Sequence, residues 1–251
     1  MNASTFDFLF DGSNWAWSSY DSFPHRILEH LQYSAIALAI AFVIAFPIGL
    51  LIGHTNRGSF LAINIGNAGR ALPTLGVLML VLVLVGTGLV PVTVALVILA
   101  IPPILTTTYA GIRSVSGATV DAARGVGMRE RQIVTSVELP IALPIIFGGV
   151  RNATLQVIST ATIAAYVGLG GLGRYLFDGL ALTDYPRVVA GCVLVALLAV
   201  AIDLLLGLVQ RLVVSPGVDG RASKGRRGRR AGMNPAATTL RTVEEVAQAT
   251  R

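Results

Sequence analysis

The chain has 251 residues, of which 54% are hydrophobic and 13% are charged, and its mean hydropathy is +0.73. An average soluble domain carries about 25% charged residues, and a soluble core of this size could not bury so much apolar surface. The composition therefore excludes an ordinary soluble protein. It predicts an integral membrane protein whose length is best read as a number of spanning helices.

The formal net charge of +6 is unevenly distributed along the chain. Residues 1–213 contain 11 Arg and 10 Asp+Glu, whereas residues 214–251 contain 8 Lys+Arg and 3 Asp+Glu. The basic character therefore belongs to the C-terminal tail, and it does not indicate nucleic-acid binding. We predict that the tail is disordered and cytoplasmic. It would act as a solvated topology determinant or, alternatively, contact anionic lipid headgroups.

Side chains that would indicate catalysis or metal binding are sparse. The single cysteine, Cys192, excludes a disulfide within the chain and is interpreted as a small apolar residue. The three histidines are scattered without metal-ligand spacing: His25, His30 and His54. We therefore predict no catalytic residue and no metal site.

Residues 1–30 are predicted to form an extracytoplasmic or interfacial segment, because Trp15, Trp17 and Tyr20 are typical of a membrane interface. The transmembrane domain is assigned to residues 31–213. Its first span, Leu31 to Gly53, contains no Asp, Glu, Lys or Arg. At about 1.5 Å per residue, this length crosses a hydrocarbon core of roughly 30 Å.

The next uncharged stretch runs from Ala71 to Ile112 and is long enough for two spans. The sequence Gly86-Thr87-Gly88, followed by Pro91, predicts the turn between them. The second span is short unless it begins earlier. Residues 60–68 could therefore be an extension of this span or a separate short helix.

A fourth span is predicted from Leu139 to Gly168 and a fifth from Val188 to Leu212, separated by a glycine-rich stretch and a polar loop. Asp203 is the one acid deep within a span. Because a charge in the membrane is costly, it should have a role. We interpret Asp203 as a structural or interface acid, with a role in transport as the alternative.

The predicted fold is all-α, a polytopic membrane protein with about five transmembrane helices. Five spans place the two termini on opposite sides. The excess of Lys and Arg lies on the side of the C-terminus, so the positive-inside rule predicts the N-terminus outside and the C-terminus inside. The charged loop of residues 113–140 then lies in the cytoplasm.

This loop contains a recognisable motif. It reads Asp121-Ala122-Ala123-Arg124-Gly125-Val126-Gly127 and, after nine further residues, Val137-Glu138-Leu139-Pro140. The spacing resembles the signature loop, or EAA motif, of ABC importer permeases. Asp replaces the commoner Glu and Val replaces Ile, both conservatively. The alternative is an ordinary cytoplasmic loop that is amphipathic by chance.

The loop is predicted to form a helical hairpin. A short helix beginning near Ala118 would present small alanines to a docking groove, and Gly127 would allow a turn with φ > 0. Pro140 and Pro144 would end the second short helix and return the chain to the bilayer. The resemblance implies that the hairpin couples the spans to an ATP-binding subunit. The coupling residues would be Asp121, Ala122, Ala123, Gly127, Leu139 and Pro140.

The resemblance extends over roughly residues 30–213. The segments Arg70-Ala71-Leu72-Pro73-Thr74-Leu75, Pro102-Pro103-Ile104-Leu105 with Thr108–Ile112, and Thr160–Gly168 with Gly170–Gly173 resemble permeases for quaternary-amine osmoprotectants. The implied substrates are glycine betaine, proline betaine, choline or carnitine. Alternatives are a permease for methionine or another amino acid, an ATP-independent transporter or channel, and a non-transporting membrane scaffold.

The resemblance also implies partners: an ATP-binding ABC subunit, an extracytoplasmic substrate-binding protein, a second identical or homologous permease, and lipid of a bacterial cytoplasmic membrane. The only lysine, Lys224, lies between Ser223 and Gly225, so the chain contains no phosphate loop. ATP and Mg²⁺ would bind the partner ATPase, and this chain would hold no cofactor. Its spans show no evident aromatic cluster, which assigns recognition of a quaternary ammonium group to the binding protein.

The translocation path and gate are predicted from prolines, small hydroxyl residues and glycine. Irregular backbone at membrane depth is tolerated where it lines a cavity, and hydroxyl groups could face the same cavity. Each hydroxyl has the alternative of bonding its own helix, and bent-helix geometry is favoured over substrate contact for the prolines. The predicted residues are Pro73, Thr74, Pro102, Pro103, Ser159, Thr160, Thr162 and Gly168.

Overall fold

The computed structural model describes residues 3–17 and 19–214, and every regular element in those ranges is helical. The basic tail from residue 215, with the prediction of its disorder, lies outside the described residues. The helices are α1 (Ala3–Phe10), α2 (Phe23–Thr55), α3 (Ser59–Ala71), α4 (Thr74–Val85), α5 (Leu89–Arg113), α6 (Gly117–Gly125), α7 (Glu130–Ile133), α8 (Leu139–Ala161), α9 (Gly173–Ala181) and α10 (Tyr185–Val213). Short 3₁₀ segments lie at Gly12–Trp15 and Thr162–Val167, and a π-helical turn lies at Val134–Glu138.

The described residues contain four helical runs that are long and apolar enough to cross a membrane: α2, α5, residues 130–167 and α10. The pair Ala62–Gly69 and Thr74–Val85, bent by 96°, makes up to five if it counts as one span. This confirms the prediction of an all-α membrane protein with about five spans. The turn predicted at Gly86–Gly88 is also confirmed, because α4 ends at Val85 and α5 begins at Leu89.

The bent pair answers the question of where the second span begins. The segment around residues 60–68 forms the separate helix α3, and α4 has only 12 residues, or about 18 Å of length. The break falls at Leu72 and Pro73. Leu72 has ψ of 123°, because a residue that precedes proline is driven out of the helical region.

The central helix is α5, which packs against both α2 and α8. The face of α2 towards α5 consists of small buried residues four apart: Ala37, Ala41, Ala45 and Gly49. A side chain on Gly49 would begin 2.8 Å from the carbonyl oxygen of Leu105. Small residues therefore let the two backbones approach closely, as in other membrane helix pairs.

The first spanning helix is longer than predicted. It begins at Phe23 instead of Leu31, and its first turns contain Arg26 and Glu29. The prediction covered only the uncharged stretch from Leu31 to Gly53, and the helix also includes the charged turns before it. The structure satisfies them locally, because Arg26 pairs with Glu29 at 2.9 Å and also with Asp21. The hydrogen bond from Arg26 lowers the pKa of Asp21.

The prediction that Pro140 and Pro144 end a short second helix is wrong. Residues 130–167 form one continuous helical run. It passes through a π-helical turn in which the N–H of Leu139 donates to the carbonyl of Val134. Pro140 lies in the first turn of α8, directly after this shifted register, where a missing N–H is tolerated. The second arm of the hairpin is therefore the beginning of the fourth span itself.

Candidate functional site

The first arm of the cytoplasmic hairpin is α6, which begins at Gly117, within one residue of the predicted start. It ends in a Schellman motif. The N–H of Gly127 donates to the carbonyl of Arg124 at 2.9 Å, and the N–H of Met128 donates to that of Ala123 at 3.2 Å. Gly127 has φ of +85°, as predicted for this position. The glycine thus reverses the chain after α6.

The two arms of the hairpin are joined by an ion pair. The guanidinium of Arg124 donates to both carboxylate oxygens of Glu130, at 2.9 and 3.2 Å, and to Asp121 at 3.3 Å. The hydrogen bonds to Glu130 raise the pKa of Arg124. All three side chains are exposed, so this pair orients the arms more than it stabilises them.

A histidine of the first span completes this charged cluster. His54, in the last turn of α2, has Nε2 at 3.1 Å from Glu130 and Nδ1 at 2.7 Å from Glu138. Glu138 is buried. Metal-ligand spacing does not identify His54 in the sequence, because its partners are two acids in a distant loop. A useful signal was Glu138 itself, an acid between Val137 and Leu139 that needs a buried partner.

A polar cavity of about 180 Å³ lies between α3, α5 and α8. Its lining includes the predicted path residues Pro102 and Pro103, and also Asn152 and Gln156, which the sequence analysis did not select. These two amides are four residues apart, and no other Asn or Gln occurs between Leu139 and Gly168. Two amides in an otherwise apolar segment are the sequence feature that could have indicated a polar cavity here. The other lining residues are Gly66, Gly69, Leu99, Thr106 and Thr107.

The remaining predicted path residues do not join this cavity. Thr74 and Thr160 line a separate small cavity with mostly apolar neighbours. Ser159 donates to the carbonyl of Leu155, and Thr162 donates to that of Ser159, both at 2.9 Å. These two hydroxyls therefore bond their own helix, the alternative considered above. Pro73 lies at the bend before α4, and Gly168 ends the 3₁₀ segment with φ of +83°.

The glycine-rich loop that follows is held by the beginning of α2. The N–H of Gly171 donates to the carboxylate of Glu29 at 2.8 Å. His30 is fully buried, and its Nε2 lies 2.8 Å from the carbonyl of Ile158. Because a carbonyl only accepts, Nε2 carries the proton. A side chain on Gly170 would overlap the carboxylate of Glu29, which would then have to shift.

Asp203 has a partner within the membrane-spanning helices. Its two carboxylate oxygens accept hydrogen bonds from Nε and an Nη of Arg151 on α8, in a bidentate pair. The pair joins α8 to α10, and both side chains remain partly exposed in the single chain. This arrangement fits the structural interpretation of Asp203, which stays a prediction.

We expect that replacing either Arg151 or Asp203 alone by leucine lowers the amount of folded protein in the membrane by roughly fivefold, because one charge is left unpaired in a span. The double variant Arg151→Leu/Asp203→Leu should recover most of the loss, since no charge remains. Fluorescence-detected size exclusion of detergent extracts measures this. A double variant as poor as the single ones would contradict a purely structural pair.

The family model and the known proteins that this chain resembles all describe membrane components of transport systems. A family model described as binding-protein-dependent transport system inner membrane component matches residues 28–215. The chain is 37% identical over 192 residues to the glycine betaine/carnitine/choline transport system permease protein OpuCB of Bacillus subtilis (strain 168), covering 76% of this chain and 88% of the relative. It is also 37% identical over 194 residues to the choline transport system permease protein OpuBB of the same organism, covering 77% and 89%.

Among solved structures, the chain is similar to a subunit of the MetNI methionine ABC transporter in an inward-facing conformation. The TM-score is 0.67 at 24% sequence identity, over 76% of this chain and 95% of that subunit. At this identity, the likeness shows the fold alone.

Proposed function

The chain belongs to the family of inner membrane components of binding-protein-dependent transport systems, and we propose that it is the permease subunit of an ABC importer for quaternary-amine osmoprotectants. The substrates would be glycine betaine, proline betaine, choline or carnitine. The observation that carries this proposal is the 37% identity, over nearly nine-tenths of their lengths, to two permeases named for such substrates.

The polar cavity is the proposed part of the translocation path. Its described lining residues offer amide and backbone oxygens but no charged side chain. A permanent cation can therefore be solvated there without being trapped by a carboxylate. The lining is also free of aromatic residues, which supports recognition by an extracytoplasmic binding protein. Pro73, Thr74, Ser159, Thr160, Thr162 and Gly168 stay proposed gate residues outside this cavity.

Energy would come from a separate ATP-binding subunit that carries ATP and Mg²⁺, while this chain performs no catalysis and holds no cofactor. Asp121 and Ala122 are exposed on the hairpin that would dock on that subunit, whereas Ala123 is buried and would not contact the subunit directly. Leu139 and Pro140 lie where the second arm enters the fourth span.

A second permease, identical or homologous, would complete the path. An amino-acid permease remains the second candidate, because the overall layout is shared.

Uptake of labelled glycine betaine, choline and methionine into proteoliposomes tests the proposal. The vesicles would contain this chain, its partner permease if one exists, the ATPase and the binding protein. We expect ATP-dependent uptake of glycine betaine or choline. Uptake of methionine alone would overturn the substrate, and flux without ATP would overturn the mechanism.

A further inference from the structure

The cytoplasmic hairpin is connected to the spans by two routes. Its second arm continues directly into α8 through the π-helical turn Val134–Glu138. Its other connection is His54, which projects from the last turn of α2 between Glu130 and Glu138. These two acids are eight residues apart: Glu130 precedes the π-helical turn, and Glu138 is its last residue.

The imidazole of His54 lies between two carboxylates. Its Nδ1 makes a hydrogen bond with Glu138 at 2.7 Å, and its Nε2 lies 3.1 Å from Glu130. The contact with Glu138 is the dry one, since that side chain is 6% exposed whereas Glu130 is 57% exposed. Glu130 also accepts from Arg124, on the other arm.

The position of the contact matters mechanically. A π-helical turn interrupts the regular hydrogen bonding of a helix and is a natural site for bending. A displacement of the hairpin could bend the helix at this turn and so fail to move the membrane-spanning part of α8. His54 lies between Glu130, the first residue of α7 ahead of this turn, and Glu138, the last residue of the turn, and it connects both to α2.

We propose that His54 is a positioning residue for coupling. It braces the π-helical turn and joins the hairpin to the first span, so that movement of the hairpin reaches α2 and α8 together. This inference rests on the proposed function, because it requires a partner that moves the hairpin.

The test measures uptake and ATP hydrolysis together in proteoliposomes containing the complete transporter. In His54→Ala, we expect uptake per ATP hydrolysed to fall about tenfold, within the range of residues that lie along a coupling network. ATP hydrolysis and co-purification of the ATPase should be retained. His54→Arg should recover part of the ratio, since a guanidinium can also bridge two carboxylates. His25→Ala is the matched control, because His25 lies at the opposite end of α2 against Tyr20.

Two further variants keep the inference falsifiable if His54→Ala folds poorly. His54→Gln can donate to Glu138 through its single amide nitrogen but has no second nitrogen to face Glu130, so it should lose coupling with the chain folded. The double variant His54→Ala/Glu138→Ala should be no worse than the more affected single variant, because both remove one shared contact. An unchanged ratio in His54→Gln, or a parallel loss of uptake and ATPase binding, would overturn the inference. A wild-type transporter without ATP-dependent uptake would instead overturn the proposed function.

Discussion

Replacing Gly127 by arginine should abolish ATP-dependent uptake while the chain still inserts into the membrane. Gly127 has φ of +85°, a conformation that costs a residue with a side chain about 1–2 kcal/mol. This strain falls on the Schellman motif that turns α6 towards α7. Gly127→Ala alone should therefore reduce uptake by roughly tenfold. Arginine adds a long charged side chain at the surface proposed to meet the ATPase.

The matched control is Gly125→Ala, two residues earlier in α6. A side chain there would meet no described heavy atom within 4 Å, and Gly125 is not among the glycines with positive φ. Uptake should remain close to that of the wild type, measured with the same vesicles and normalised to inserted protein. Normal transport by Gly127→Arg would show that the coupling assignment is wrong.

Adding one methyl group at Gly149 should destabilise the chain, whereas the same change at Gly148 should not. A side chain on Gly149 would overlap Oγ1 and Cβ of Thr107 on α5 and would begin 2.7 Å from its Cγ2. A β-branched residue in a helix has little freedom to move aside. We expect Gly149→Ala to lower the free energy of unfolding by about 1–3 kcal/mol, as overpacking does. Thr107 also lines the polar cavity, so uptake should fall as well.

Gly148→Ala provides the control for the clash at Gly149. Within the described part of the chain, no heavy atom lies within 4 Å of the position that its side chain would occupy. Alanine is a better helix former than glycine by about 1 kcal/mol, so this variant should be neutral or more stable. Thermal unfolding in detergent compares the two. Equal melting temperatures would contradict the close packing of α5 and α8 at this point.

The class of protein, the approximate spans and the hairpin are predictable from the sequence alone. Hydropathy and the spacing of charges are local properties, and the bilayer imposes a length on each apolar segment. The positive φ of Gly127 was predictable for a similar reason, because a short helix must reverse within a few residues. The resemblance of the loop at Asp121–Pro140 indicated the family before any contact was known.

Which polar groups come into contact depends on the packing of segments that are distant in the chain. His54 and Glu138 are 84 residues apart in the chain, and Arg151 and Asp203 are 52 apart. Asn152 and Gln156 meet Pro102 and Pro103 only because α8 packs on α5.

The same limit explains the errors at the helix boundaries. Two kinds of local signal indicate that a helix should stop: the charges of Arg26 and Glu29, and the ring of Pro140. The helices continue because partners supplied by folding satisfy the charges, and a π-helical turn shifts the register ahead of the proline. Local sequence determines where a helix is favoured. Packing between distant segments determines whether an unfavourable residue is tolerated, and which side chains then face one another.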